Sequence, residues 1–108
     1  RNRSMAKAAQ LADMLQSLFP GADIRLDAGE PEAHDLVVNG TSLGMKPADP
    51  LPVDVGSLAE GTLVAEVVMQ PDVTPLLAAA AARGLATHKG INMVEQQVNL
   101  LIDFLNGR

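Results

Sequence analysis

Residues 63–89 read LVAEVVMQPDVTPLLAAAAARGLATHK. The first seven, Leu63 to Met69, form the most strand-like run of the chain, apolar and rich in Val. Thr74-Pro75 then opens a helix: a Thr hydroxyl caps free backbone N–H groups, and Pro suits the first helical position. An Ala-rich run to Arg83 follows, and Gly84 is a natural stop. Leu85 to Lys89 is a second short strand. A strand, a helix and a strand in immediate succession make a parallel βαβ unit, so the expected class is α/β. Glu66 is the discordant residue. A carboxylate within a strand meant for burial needs a partner or a place near the strand end; otherwise that strand lies at the sheet edge.

Working outward, Gly40 to Gly61 carries Gly44, Pro47, Pro50, Pro52 and Gly56. It reads as loop with at most one short helical turn, and irregular stretches of that size are usually functional. Before it, Asp35 to Asn39 (DLVVN) resembles strands buried on both faces of a parallel sheet. Ala28 to His34 is a polar loop, and Ala22 to Leu26 a short strand candidate. Further upstream, Ser4 caps a helix on which Met5, Ala8, Leu11, Ala12, Leu15 and Leu18 recur at helical spacing, until Pro20-Gly21 stops it. Downstream, Gly90-Ile91-Asn92 leads into the last helix. Asn92 with Glu95 gives a capping-box pattern; Val94, Val98, Leu101 and Leu105 form the expected core stripe, and Gly107 ends the run. Parallel sheets bind ligands beyond the carboxyl ends of their strands. Those ends are the neighbourhoods of Asn39 to Met45, Met69 to Thr74 and Lys89 to Met93. A chain that opens on Arg1-Asn2-Arg3-Ser4 and enters a helix at once is expected to be an excerpt of a longer protein.

Composition narrows the function classes. The 108 residues are 47% apolar and hold two Phe and no Trp or Tyr, so stacking platforms for single-stranded nucleic acid are nearly absent. A net charge of -5 argues against binding to phosphate backbones. The absence of Cys excludes a disulfide scaffold and thiolate metal sites. No apolar run approaches the ~20 residues of a membrane-spanning helix, and no signal peptide opens the chain. The expectation is a cytoplasmic protein with no nucleic-acid or membrane partner.

The residues themselves carry little declared chemistry. Neither G-x-G-x-x-G nor G-x-x-x-x-G-K-[ST] occurs. Asn39, Thr41 and Ser42 place small hydrogen-bonding groups after a strand, and Gly40 and Gly44 allow close backbone approach; the same residues also make an ordinary turn. His34 and His88 lack partners at metal-ligand spacing, so no metal is expected. Glu30, Glu32 and Asp35 read as a solvated cluster. Arg1, Arg3 and Lys7 concentrate charge at the start. An Arg after the second strand of a dinucleotide fold accommodates the extra phosphate of NADP, and Arg3 before Ser4 fits that case, although its chemistry alone favours a frayed, solvated terminus.

Four stretches together resemble the shikimate/quinate dehydrogenase family. Asn2-Arg3-Ser4 is similar to its Asn-Arg-Thr/Ser. Asn39-Gly40-Thr41-Ser42-Leu43-Gly44-Met45 is similar to its Asn-Ala-Thr-Ser-x-Gly-Met loop. Pro71-Asp72-Val73-Thr74-Pro75-Leu76-Leu77 is similar to its Pro-x-x-Thr-Pro-Leu-Leu, and Gly90-Ile91-Asn92-Met93-Val94-Glu95-Gln96-Gln97 to its Gly-x-x-Met-Leu-x-x-Gln. Their order and spacing run through the whole chain. The resemblance implies a single, truncated NADP-binding domain over residues 1–108. It would be a partial Rossmann-type three-layer fold with a mainly parallel sheet, its first strand–helix–strand unit missing. It also implies a parent oxidoreductase acting on a shikimate-like cyclic hydroxy acid.

Residue by residue, the resemblance gives Asn2, Arg3 and Ser4 the adenosine 2′-phosphate, and Thr41 and Ser42 the dinucleotide cleft. Val68 and Gly90 would contact the nicotinamide end through backbone, with Met93 near that ring. Gln97 would reach substrate hydroxyls. The family's catalytic Lys and Asp and its Gly-rich diphosphate loop lie outside these residues, so hydride transfer is not expected of this piece alone. Two departures stand out: Glu66 and Met69 occupy the positions of the family's Asp-x-x-Tyr, and Gly40 replaces its Ala. They suggest a divergent branch with shikimate, quinate or an analogue as substrate. A non-catalytic dinucleotide-binding or regulatory module is the rival reading. A third is a plain α/β interaction fragment whose exposed sheet edge pairs with a second copy.

Overall fold

The computed structural model describes residues 2–26 and 33–108. The chain divides into two compact units, Arg1–Pro31 and Glu32–Arg108. In the first, α1 spans Met5–Leu18. The expected cap forms, with the Ser4 hydroxyl accepting from the Lys7 N–H at 3.4 Å. No α1 residue is buried. The Gln16 amide ties down the turn that follows, donating to the carbonyls of Phe19, Pro20 and Ala22.

The strand expected over Ala22 to Leu26 does not form. A strand exists only where a neighbouring ladder takes its backbone groups, and no described residue pairs with this one. Instead, Asp23 and Arg25 pair locally, 2.7 Å apart. Most of the polar loop expected over Ala28 to His34, including Glu30 and Glu32, lies outside the described residues.

The second unit is built on a three-stranded parallel sheet in the order β1-β2-β3. β1 is Leu36–Asn39, β2 Leu63–Glu66 and β3 Ala86–His88. Val37 lies opposite Val64, which lies opposite Thr87, so the strands run in register. α2, Pro75–Ala82, crosses from β2 to β3 as the sequence predicts. Thr74 caps it through the Leu77 N–H at 3.3 Å, and Gly84 closes it at φ +75°. Its buried face, Leu76, Leu77 and Ala80, packs with Val64 and Leu85. The long loop contributes one 3-10 turn, Val55–Ser57. Val55 and Leu58 complete the core, and Arg83 clamps both carbonyls with one guanidinium nitrogen.

Three expectations need correction. β1 is not buried on both faces: Leu36 and Val38, which share one face by strand alternation, are exposed, because no described residue of the second unit covers that side. The last helix, α3, spans Gly90–Leu105 and is capped at Lys89 without a side-chain bond, so Asn92 is no N-cap. The Asn92 N–H instead bonds the Lys89 carbonyl at 3.2 Å, because the helix turns as soon as β3 ends. Val94, Val98, Leu101 and Leu105 are not core but solvent-accessible; of α3 only Gly90 is buried. Helical periodicity marks a face fit for burial, but burial needs an opposing surface.

Candidate functional site

Three parallel strands in register end at one edge of the sheet, so the segments after Asn39, Glu66 and His88 leave from that edge. The centre of this edge is polar and buried. Asn39, Glu66 and Thr74 are only 3%, 1% and 0% exposed. Glu66 is therefore neither an edge-strand residue nor an unpaired charge. It closes the central strand and accepts from the Asn39 amide at 2.8 Å and from the Thr74 hydroxyl at 2.7 Å. Every buried side-chain nitrogen and oxygen among the described residues has a partner, as a buried polar cluster requires.

From Asn39 the bonds continue into the following loop. Its amide nitrogen also donates to the Leu43 carbonyl at 2.9 Å. Its amide oxygen accepts from the Thr41 backbone at 3.1 Å and the Thr41 hydroxyl at 2.7 Å. The Thr41 hydroxyl accepts in turn from the Leu43 N–H at 3.1 Å. Gly44 follows at φ +106°, with a would-be Cβ 3.5 Å from the Thr74 Cβ and 3.7 Å from a Glu66 oxygen, so the loop lies directly against the cluster. Beyond it, Asp49 accepts from the backbone N–H groups of Lys46 and Gly44, each at 3.0 Å. Those bonds, Lys46 first, hold its carboxyl below the usual carboxylate range.

At the other end of the edge, α3 starts against the backbone after β2. A Cβ on Gly90 would meet the Val68 carbonyl, lying 2.7 Å from its carbon, and would sit 2.8 Å from the Val67 oxygen. Only glycine permits that approach. Met93 and Gln97 follow at helical spacing on the same face of α3 as Gly90. The Lys89 ammonium and Asp72 carboxylate, 2.5 Å apart, link the two segments further.

The structure brings Val68 and Gly90 together and sets Thr41 and Ser42 on one short loop. It also distinguishes the two side chains: the Thr41 hydroxyl is engaged inside the loop, while Ser42 is exposed and makes no side-chain hydrogen bond among the described residues. Gln97 is exposed and needs no partner within the chain. Arg3 and Asn2 are exposed in the first unit, where Ser4 caps α1. Sequence reasoning missed Asp49 and the Asp72–Lys89 pair, which no motif announces. It noted Thr74 only as a cap; its second bond, to Glu66, has no local signal. Among the described residues no group of three or more His, Cys, Asp or Glu could hold a metal ion, and no helix is long and apolar enough to cross a membrane.

No family model matches the chain. Known proteins do. Over 97 residues it is 46% identical to "Shikimate dehydrogenase (NADP(+))" of Rhodopseudomonas palustris strain BisB18, covering 89% of this chain and 35% of that protein. Over 64 residues it is 52% identical to the protein of the same name from Acidiphilium cryptum, covering 59% of this chain and 23% of that one. The chain therefore spans about a third or less of the length of the curated relatives it matches. Among solved structures, ligand-free 5-ketofructose reductase of Gluconobacter sp. strain CHM43 superposes with a TM-score of 0.84 at 30% identity, over 99% of this chain and 40% of that one. Quinate dehydrogenase from Corynebacterium glutamicum in complex with NAD gives a TM-score of 0.69 at 35% identity, over 84% and 34%. Both support a partial Rossmann-type α/β domain.

Proposed function

The chain belongs to the shikimate/quinate dehydrogenase family, and on that premise we propose that it is the cofactor-binding part of an NADP-dependent oxidoreductase. The parent interconverts a ring hydroxyl and a ketone on a shikimate-like acid. One observation carries the reading: a buried Asn39–Glu66–Thr74 cluster supports an exposed polar loop at the strand ends, on a sheet where Gly90 also brings α3 onto the Val68 backbone. Short polar side chains and bare backbone at the carboxyl ends of parallel strands are what a dinucleotide takes.

In this reading Ser42 and the Thr41 segment line the dinucleotide cleft. Val68 and Gly90 offer backbone to the nicotinamide end, Met93 packs near it, and Gln97 turns an exposed amide toward substrate hydroxyls. In the first unit, Asn2, Arg3 and Ser4 at the start of α1 take the 2′-phosphate, as a helix N-terminus with an adjacent guanidinium favours. When bound, the nicotinamide supplies or accepts the hydride. The residues that move the hydroxyl proton lie outside this chain.

Calorimetric titration of NADP and NAD into the full-length protein and its Arg3→Ala variant tests this. The expected result is a preference for NADP of at least about tenfold, lost in the variant; one good charge-assisted contact supplies that much. Binding of neither nucleotide by the full-length protein would refute the reading. The likeness to 5-ketofructose reductase over 99% of the chain supports a second reading, a keto-sugar as substrate. NADPH oxidation with 5-ketofructose but not with dehydroshikimate would select it.

A further inference from the structure

We propose that Glu66 is a positioning residue for dinucleotide binding: by accepting on both carboxylate oxygens it locks the 39–44 loop to the start of α2. This rests on the cofactor reading above.

The directions of the Asn39 hydrogen bonds are fixed by backbone groups. The Leu43 carbonyl can only accept, so the Asn39 amide nitrogen faces it. The Thr41 backbone N–H can only donate, so the Asn39 oxygen faces that. The Asn39 amide therefore has a single orientation that satisfies both groups. Its nitrogen also meets Glu66, so that Glu66 oxygen must accept. On the other side, the Thr74 hydroxyl accepts from the Leu77 N–H and donates to the second Glu66 oxygen.

A group that accepts from both sides is a carboxylate; an amide of the same shape accepts on one side only. With glutamine at this position, either the Thr74 proton or the Asn39 nitrogen loses its acceptor. Reversing the Asn39 amide instead breaks its bonds to the Thr41 N–H and to the Leu43 carbonyl. Glu66 is 1% exposed and Thr74 0%, so neither can touch a nucleotide in this arrangement. Any effect of either on affinity travels through the loop that bears Ser42.

The test is calorimetric titration of NADP into the full-length protein and four variants: Glu66→Gln, Ser42→Ala, their double, and Ala78→Gly. The last weakens the exposed side of α2 and controls for lost stability. Glu66→Gln should cost about tenfold or more in affinity, the worth of a hydrogen bond to a charged group, while Ala78→Gly binds as the parent does. The double variant should bind about as Glu66→Gln does, because a misplaced loop has no Ser42 contact left to lose. Should Glu66→Gln fail to fold, Thr74→Val and Thr74→Ser replace it, with loss expected in the first and retention in the second. Parent-like affinity in Glu66→Gln, or in Thr74→Val, overturns the proposal and leaves the cofactor reading intact. No binding by the parent protein overturns both.

Discussion

Gly90 shows how one missing methyl fixes a contact. In a helix interior, alanine is better than glycine by roughly 1 kcal/mol. Here the added carbon would meet the Val68 carbonyl group and lie 2.8 Å from the Val67 oxygen. Those atoms are backbone and cannot swing aside. Overpacking of that kind costs about 1–3 kcal/mol and occasionally more, so the clash outweighs the propensity. Gly90→Ala should lower the melting temperature by several degrees, on the scale of about 4–8 °C per kcal/mol for a small domain; an unchanged or raised melting curve would show that α3 does not start on that backbone. The glycine itself was legible in the sequence as part of the lead-in to the last helix, which the structure starts at Gly90 itself. Its reason was not, because Val68 lies in a different segment.

The elements divide by whether something covers them. α2 has its cap, its proline and its stop written locally, and the sheet supplies the surface that its apolar face needs. Leu76, 1% exposed, should lose about 2–5 kcal/mol on Leu76→Ala, the usual range for a buried Leu. α3 carries the same kind of apolar pattern, yet Phe104 is 79% exposed. Phe104→Ser should therefore change the stability of the isolated chain by less than about 0.5 kcal/mol, as surface substitutions do. Chemical denaturation of the two variants checks both statements, and a large loss in Phe104→Ser would mean that α3 is covered in solution. The stripe on α3 and the cap on α2 were equally readable; only one of them met its partner.

For the molecule as a whole, apolar side chains at the surface are the dominant physical fact. Leu36 and Val38 on β1, and Leu100, Leu101, Ile102, Phe104 and Leu105 on α3, are all exposed, and among the described residues β1 and β3 both leave a sheet edge unpaired. Exposed apolar patches and free edges promote association. The 108-residue chain on its own should self-associate as its concentration rises, visible as a concentration-dependent mass in sedimentation equilibrium. A strict monomer up to high micromolar concentration would contradict this.

By itself the sequence determined the α/β class, the βαβ unit at residues 63–89, the caps of α1 and α2, and the three strand-end segments. Each rests on neighbours along the chain, which periodicity, caps and turn residues encode. Tertiary structure alone decided that Glu66 is a paired, buried acceptor rather than an edge residue. It also decided that β1 is open on one face, that Ala22 to Leu26 is no strand, and that α3 begins at Gly90. These depend on which groups meet across many intervening residues, and hydrogen bonding and burial are properties of that meeting, not of either partner's local sequence.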